Sequence, residues 1–370
     1  MSTPAAVAPE ARLASIDALR GLALFGVLVV NLETEFRVSI FAQFLPGPPL
    51  PAFERWIDAL IQILLNQKAI ALFSLLFGVG LAIQHERLSG SGRRGWLLTR
   101  RMLALLGFGL VHMLLIWNGD ILTEYAIAGL IVLPLLALGV PVLVTAVTVL
   151  LVLFLVLPGL HLVPFPDPAG LRALLSGATE AYANGGWREV AAFRLAELPA
   201  IATLHAFIFP RTVALMLLGV VLWRLGFFKA DWARSPAPWA VATVLIGLGL
   251  VLTLARTALA PLASVAMALG YATLAVAAMA KPGVLARLGL VAALGRMAFT
   301  NYVVQSVLLG LVFYGYGFGL FGRIGLVTGL GIAMGLYAVQ LVASRLWLRR
   351  FRWGPLEWLW RTLMYGARPL

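Results

Sequence analysis

The sequence predicts an all-α, polytopic integral membrane protein. Its bundle has about ten transmembrane helices, both termini on the cytoplasmic side, and one amphipathic segment at the outer surface. Three observations predict it. Hydrophobic residues make up 62% of the 370 and charged residues only 12%, about half the charged share of a soluble domain, so polar groups are too few to coat a soluble core. The apolar residues gather in runs of about twenty, the length that crosses a hydrocarbon core ~30 Å thick. The basic residues behind the net charge of +13 lie in short segments between those runs, where lysine and arginine set orientation.

The first apolar run spans residues 16–36 and has no small-residue cleavage site after it, so it is expected to remain as a span. Residues 52–67 are amphipathic, with Trp56, Leu60, Ile63 and Leu64 at helical spacing, as suits a helix lying in the interface. Further runs cover 69–84, 96–117, 121–138, 140–160, 201–225, 239–254, 259–279, 290–316 and 324–346. The loop after the second span carries Arg87, Arg93, Arg94, Arg100 and Arg101 against Glu86, which assigns it to the cytoplasm. Counting outward, Arg224, Lys229 and Arg234 fall on the same side, as do Lys281, Arg287 and the basic tail 347–370 with Arg349, Arg350, Arg352, Arg361 and Arg368. The whole chain, 1–370, reads as one transmembrane domain. Its longest polar stretch, 163–199, falls outside with mixed charge: Arg172, Arg188 and Arg194 against Asp167, Glu180, Glu189 and Glu197. Proline and glycine are expected to divide it into two short amphipathic helices, an interfacial loop or a lid.

Several functions are disfavoured at once. There is no cysteine, so no disulfide, thiolate metal site or cysteine nucleophile. The positive charge is explained by topology, so nucleic acid is not an expected partner. No Walker-type loop and no metal-ligand spacing of His with Asp or Glu occurs, so neither ATP nor a metal is expected.

Ionisable residues inside spans are costly and are therefore functional candidates. Asp17 and Arg20 share a helix face, and Asn31 lies eleven residues beyond Arg20 on the same stripe, about 16 Å deeper. The span from 96 repeats the geometry: His112 stands eleven residues beyond Arg101, followed by Asn118, Asp120, Glu124 and Tyr125. Histidine both accepts and donates protons near neutrality, so His112 is the leading general-base candidate, with Asp120 or Glu124 to orient it. Lys68 opens the second span as an anchor or a site cation. Arg296, Asn301, Gln305 and Gln340 supply polar groups to the last two spans, for substrate or for helix–helix contacts. His161 and His205 lie near outer ends and carry no assigned role.

Particular motifs give a family resemblance. Arg12 and Asp17-Ala18-Leu19-Arg20-Gly21, followed by Gly26 and Asn31, are one; Lys68 with Leu72-Phe73-Ser74-Leu75-Leu76-Phe77-Gly78 is another. Gly119-Asp120-Ile121-Leu122, Gly295-Arg296-Met297, Thr300-Asn301-Tyr302, Gln305-Ser306 and Gly354-Pro355-Leu356-Glu357-Trp358-Leu359-Trp360-Arg361 complete the set. Nearly end to end, the chain resembles the DUF418 (YeiB-like) membrane proteins, which are grouped with transmembrane acyltransferases of the acyltransferase-3 and heparan-glucosaminide acetyltransferase kinds. The resemblance implies transfer of an acyl group from cytoplasmic acyl-CoA to an acceptor, often a sugar, with Arg20 contacting the donor. Acyltransferase-3 members place a catalytic histidine where this chain has Asn31. Asparagine cannot act as a general base, although it can hold an oxyanion.

The expected site thus has Arg20, Asp17, Arg100 and Arg101 at the acyl-CoA donor and His112, Asp120, Glu124 and Asn31 at the reaction. Lys68, Arg296, Asn301 and Gln305 would be at the substrate. Acyl-CoA, an acceptor and membrane lipids are the expected partners, in a bacterial inner membrane. The same polar stripes would equally serve a transporter for a small anionic or sugar solute.

Overall fold

The computed structural model describes residues 14–47, 49–160, 164–255, 257–281 and 283–366; Arg12, His161, Val163 and Arg368 lie outside the described residues. Sixteen α-helices follow in chain order: α1 (Ala14–Asn31), α2 (Ala52–Leu64), α3 (Lys68–Arg87), α4 (Arg94–Val111), α5 (Ile121–Leu135), α6 (Val140–Val156), α7 (Pro168–Asn184), α8 (Trp187–Arg224), α9 (Ala230–Arg234), α10 (Ala237–Ala255), α11 (Ala263–Met279), α12 (Val284–Arg287), α13 (Gly289–Arg296), α14 (Ala298–Phe313), α15 (Leu326–Arg350) and α16 (Pro355–Tyr365). Among the described residues there is no strand.

Every apolar run of the sequence becomes helix. Among the described residues eight stretches are long and apolar enough to cross a membrane, and α13–α14 makes a ninth if a bent pair counts as one span. α5 has only 15 residues, about 22 Å of helix, too short for a full hydrocarbon core. The helix α2 keeps Phe53, Trp56, Leu60 and Leu64 exposed, so its apolar face turns away from the bundle, as an interfacial helix requires. Gln67, in the left-handed region at φ 63°, separates it from α3.

One end of the bundle gathers much of the basic chain. Trp223 Nε1 donates to Glu86 Oε2 at 2.8 Å, Arg224 donates to the Leu138 and Leu136 carbonyls, and Trp360 Nε1 donates to the Arg101 carbonyl at 2.8 Å. We call this the basic end. The core between α3 and α8 depends on two glycines. A Cβ on Gly78 would lie 1.9 Å from the Met216 carbonyl oxygen, and one on Gly219 would lie 2.1 Å from that of Leu75. Small residues allow such backbone approach, which supplies helix association where lipid removes the hydrophobic drive.

Two expectations are corrected. The run 290–316 is not one straight span: it turns by 83° between α13 and α14. Hydropathy is blind to this corner because both arms are apolar. Side chains hold it. Asn301 Nδ2 donates to the Leu294 carbonyl at 3.2 Å across the break and to Ser344 Oγ at 2.9 Å. The polar stretch 163–199 does contain the short helix α7, ended at Gly185-Gly186, but its second helix is not short: residues 187–199 are the first third of the 38-residue α8, which continues through Pro199 and Pro210. Neighbouring groups re-satisfy backbone freed by proline in such helices; Thr203 Oγ1 bonds both the Pro199 and the Pro164 carbonyl. Arg194 and Glu197, expected in an interfacial loop, are buried.

The tail helix α16 docks on the corner. Glu357 accepts from the Phe299 and Thr300 amides at 2.8 and 3.1 Å and from Thr300 Oγ1 at 2.5 Å, filling the orphan donors at the start of α14. Burial pushes its carboxyl above the ordinary value of 4.5, although these hydrogen bonds pull the other way. The folded chain therefore keeps a proton that the unfolded chain releases above that value, so raising pH favours unfolding. The contribution is complete below 4.5 and is lost as pH rises through the folded-state value. Relative to Glu357→Gln, the thermal midpoint of the wild type should fall over this window and then level off. A midpoint difference that does not change with pH would refute this account.

Candidate functional site

The corner between α13 and α14, the start of α16 and the basic ends of α1, α3 and α4 enclose a cavity of about 1110 Å³, mouth included. Arg20, Arg101, Arg296 and Arg361 all line it. Sequence position explains the convergence: Arg20 is six residues into α1, Arg101 seven residues into α4, Arg296 ends α13 at the turn, and Arg361 belongs to α16.

These cations are held mostly by rings and carbonyls. The Arg101 guanidinium carbon lies 3.5 Å from the Trp360 ring centre, and that of Arg361 lies 3.8 Å from Trp353. Cation–π contact of this kind fixes a guanidinium while leaving its edge donors free; neither Arg101 Nε nor Arg361 Nε has a protein partner. Arg296 Nη2 donates to the Arg352 carbonyl at 3.3 Å. Among the described residues Arg20 alone of the four has an ion pair, with Asp17 at 3.3 Å. Burial, with the like charges of Arg352 and Arg87, pulls Arg361 below the ordinary arginine range, against the opposing effect of Tyr365. Against these four cations the lining carries, among the described residues, one carboxyl group, that of Glu357, which the start of α14 already holds, so the cavity has an excess of positive charge that an anion could balance.

Phe73, Phe77, Tyr125, Phe299 and Tyr302 line the cavity as well. The Tyr302 ring centre is 5.2 Å from that of His112, so His112 stands directly behind this residue. His112 is 1% exposed. It opens a π-helical turn, His112–Ile116, closed by the Trp117 amide donating to its carbonyl at 2.8 Å. Such turns add a residue to the helix and re-aim the side chain. Its Nδ1 lies 2.9 Å from Asp120 Oδ1, within ion-pair distance but without hydrogen-bond alignment, and its Nε2 has no protein partner. Asp120 is fixed as the cap of α5, accepting from the Leu122 and Thr123 amides at 3.0 and 2.7 Å.

Beyond His112 the polar groups continue. A Cβ on Gly119 would lie 2.0 Å from Glu35 Oε2, so only glycine admits that carboxylate beside Asp120. Glu197 accepts from Asn118 at 2.8 Å and from Tyr182 at 2.7 Å, and Arg194 donates to the Leu115 carbonyl at 3.1 Å. Glu124 is engaged elsewhere than expected. It meets His205 Nδ1 at 2.5 Å and accepts from Thr212 Oγ1 at 2.5 Å.

The sequence candidates therefore separate. Asp17 and Arg20, Arg101 and Arg296 come to the cavity, and His112 with Asp120 lies behind it. Arg100, on the next face of α4, turns toward Gly366 instead. Asn31 is buried where α1 passes into the π-turn Leu32–Phe36 and does not line the cavity. Gln305 Nε2 donates to Gln340 Oε1 at 2.7 Å and Gln340 Nε2 to the Asn301 carbonyl at 3.0 Å, so Asn301 and Gln305 join α14 to α15. Lys68 lines a different cavity. Sequence reading gave no role to Glu35, Trp360, Glu357 or His205. For Glu357 and Trp360 the signal was present in the closing motif. Among the described residues no group of three or more histidines and carboxylates could hold a metal.

No solved structure matches the chain. A family model described as a protein of unknown function, DUF418, matches residues 222–367. The uncharacterized protein YxaH of Bacillus subtilis is 32% identical, with 96% of this chain and 94% of that protein covered. The uncharacterized protein YeiB of Escherichia coli is 30% identical over 96% of this chain and 97% of its own length. With both relatives aligned almost end to end, the chain belongs to the DUF418 family.

Proposed function

We propose that the protein is a transmembrane acyltransferase that takes acyl groups from acyl-CoA in the cytoplasm. The observation that carries this reading is the arginine-lined cavity with His112 Nε2 unpartnered behind Tyr302. By the positive-inside rule the basic end and both termini face the cytoplasm of a bacterium, the protein lying in its inner membrane. In this reading Arg20, Arg101 and Arg361 take the phosphates of the donor, since guanidinium forks suit phosphate oxygens. The acyl thioester points toward Tyr302. When Tyr302 moves aside, His112 Nε2 accepts the proton of an acceptor hydroxyl as its oxygen bonds to the thioester carbonyl carbon. Collapse of the tetrahedral intermediate breaks the carbon–sulfur bond, and the CoA sulfur leaves with the proton held by His112. Asp120 keeps the imidazole aimed. Calorimetry on detergent-purified protein tests the donor half. Acetyl-CoA should bind, and Arg101→Ala should weaken it by about tenfold or more, the worth of one charged hydrogen bond. Equal affinity in the variant, or no binding by folded wild type, would sink the reading.

One observation favours a second reading. Polar groups continue past His112 and Asp120 to Glu35, Glu124 and His205, as a permeation path for a small solute would require. Solute flux in proteoliposomes free of acyl-CoA would favour a transporter.

A further inference from the structure

A separate cavity lies at the start of α3, the middle of α8 and the turn between α10 and α11, and encloses about 670 Å³, mouth included. Two buried cations line it, Lys68 and Arg211, with 7% and 2% exposure. Neither meets a carboxylate among the described residues. Lys68 Nζ donates to the Gln62 carbonyl at 2.8 Å, and Arg211 Nη1 donates to Ser264 Oγ at 3.3 Å. Arg211 Nε and Nη2 are buried with no protein partner. The two like charges lie within each other's repulsive field. Glu124, which is in electrostatic reach of Arg211, is already held by His205 and Thr212.

Two desolvated cations without a carboxylate in contact are costly, and removing both would relieve the chain of that cost. Their arrangement suits an anion with several acceptor oxygens. Guanidinium Nε and Nη2 form the paired edge that takes two oxygens of one phosphate. The rest of the wall is divided: Gln62, Asn66, Gln67 and Thr253 offer further polar groups to a headgroup, and Phe154, Ile208, Pro261 and Ala263 form an apolar part that suits hydrocarbon attached to the anion. Lys68 is the first residue of the 20-residue α3, about 30 Å along the helix from its basic end. That is one hydrocarbon thickness, so the cavity sits at headgroup depth in the far leaflet. We propose that Lys68 and Arg211 bind the phosphate headgroup of a membrane lipid in the leaflet opposite the arginine-lined cavity. The site does not depend on the acyltransferase reading, and its test uses no CoA.

The test is thermal stability and native mass spectrometry of the full chain in detergent. It is titrated with dioleoyl phosphatidic acid, with dioleoyl glycerol of the same tails lacking phosphate, and with inorganic phosphate alone. Phosphatidic acid should stabilise the wild type saturably and ride with it in the gas phase; dioleoyl glycerol should not. Lys68→Gln and Arg211→Gln should each weaken the effect by about tenfold or more, as loss of a charged hydrogen bond implies. Should Arg211→Gln fail to fold, the comparison of the two lipids on wild type and on Lys68→Gln still decides. Equal stabilisation by dioleoyl glycerol, or undiminished lipid binding in a folded Lys68→Gln, would overturn the site. Saturable protection by inorganic phosphate at the same residues, without any by the lipid, would overturn the lipid source.

Discussion

Replacing His112 with glutamine should lower acyl transfer by about 10²- to 10⁴-fold, the range that a positioned general base contributes, and should leave acetyl-CoA affinity unchanged. The separation follows from the geometry: His112 packs against Tyr302, whereas the arginines proposed to hold the donor line the cavity. Asp120→Asn sharpens the test. Asparagine caps a helix as well as aspartate does, so its single oxygen keeps one of the two bonds that Oδ1 and Oδ2 now accept from the Leu122 and Thr123 amides, while the charge 2.9 Å from His112 Nδ1 is lost. Activity should fall with only a modest drop in thermal midpoint, about what one lost cap bond costs. If His112→Gln transferred acyl groups at the wild-type rate, the base would lie elsewhere. If it lost donor binding together with activity, the two halves of the site would not be separable as drawn.

Gly78→Leu should be strongly destabilising, by about 3 kcal/mol, the upper end of the usual toll of overpacking. Even a methyl group there would lie 1.9 Å from the Met216 carbonyl oxygen, and that atom is backbone, which cannot rotate away. The helices must separate, which also strips Gly219 of its approach to the Leu75 carbonyl. A drop in thermal midpoint, or failure to recover folded protein, is the expected readout. A variant as stable as wild type would mean that α3 and α8 are not held by this contact. Gly247 is the control, because a Cβ there meets nothing within 4 Å.

The spans were legible because apolar length is a local property, and so was the Asp17–Arg20 pair, three residues apart on one helix. His112 with Asp120 was legible for the same reason: the π-turn and the tight Asn118-Gly119 segment bring near neighbours together. Arg101 and Arg100 were indistinguishable in sequence. Their difference is one helical step of about 100°, and it is decided by Trp360, which lies 259 residues from Arg101. The Glu124–His205 pair, 81 residues apart, was illegible because nothing in either segment names the other. The shared stripe of Arg20 and Asn31 was sound helical geometry, yet depth separated them: only the shallower residue reaches the cavity. Pro199 misled because a break at proline is the rule for exposed helices, and α8 is packed against α3, α5 and α6.

Tyr302 carries one more consequence, concerning insulation. A transmembrane voltage does about 2.3 kcal/mol of work on each charge per 100 mV, so an ungated file of titratable groups from face to face would leak protons. Here the cavity side and the His112 side are parted by little more than one phenol ring, with its hydroxyl at the Ile121 amide. The ring is thus a dielectric seal as much as a wall. Anything that pushes it aside must plug the gap with its own bulk, or the protein would discharge the membrane it lives in.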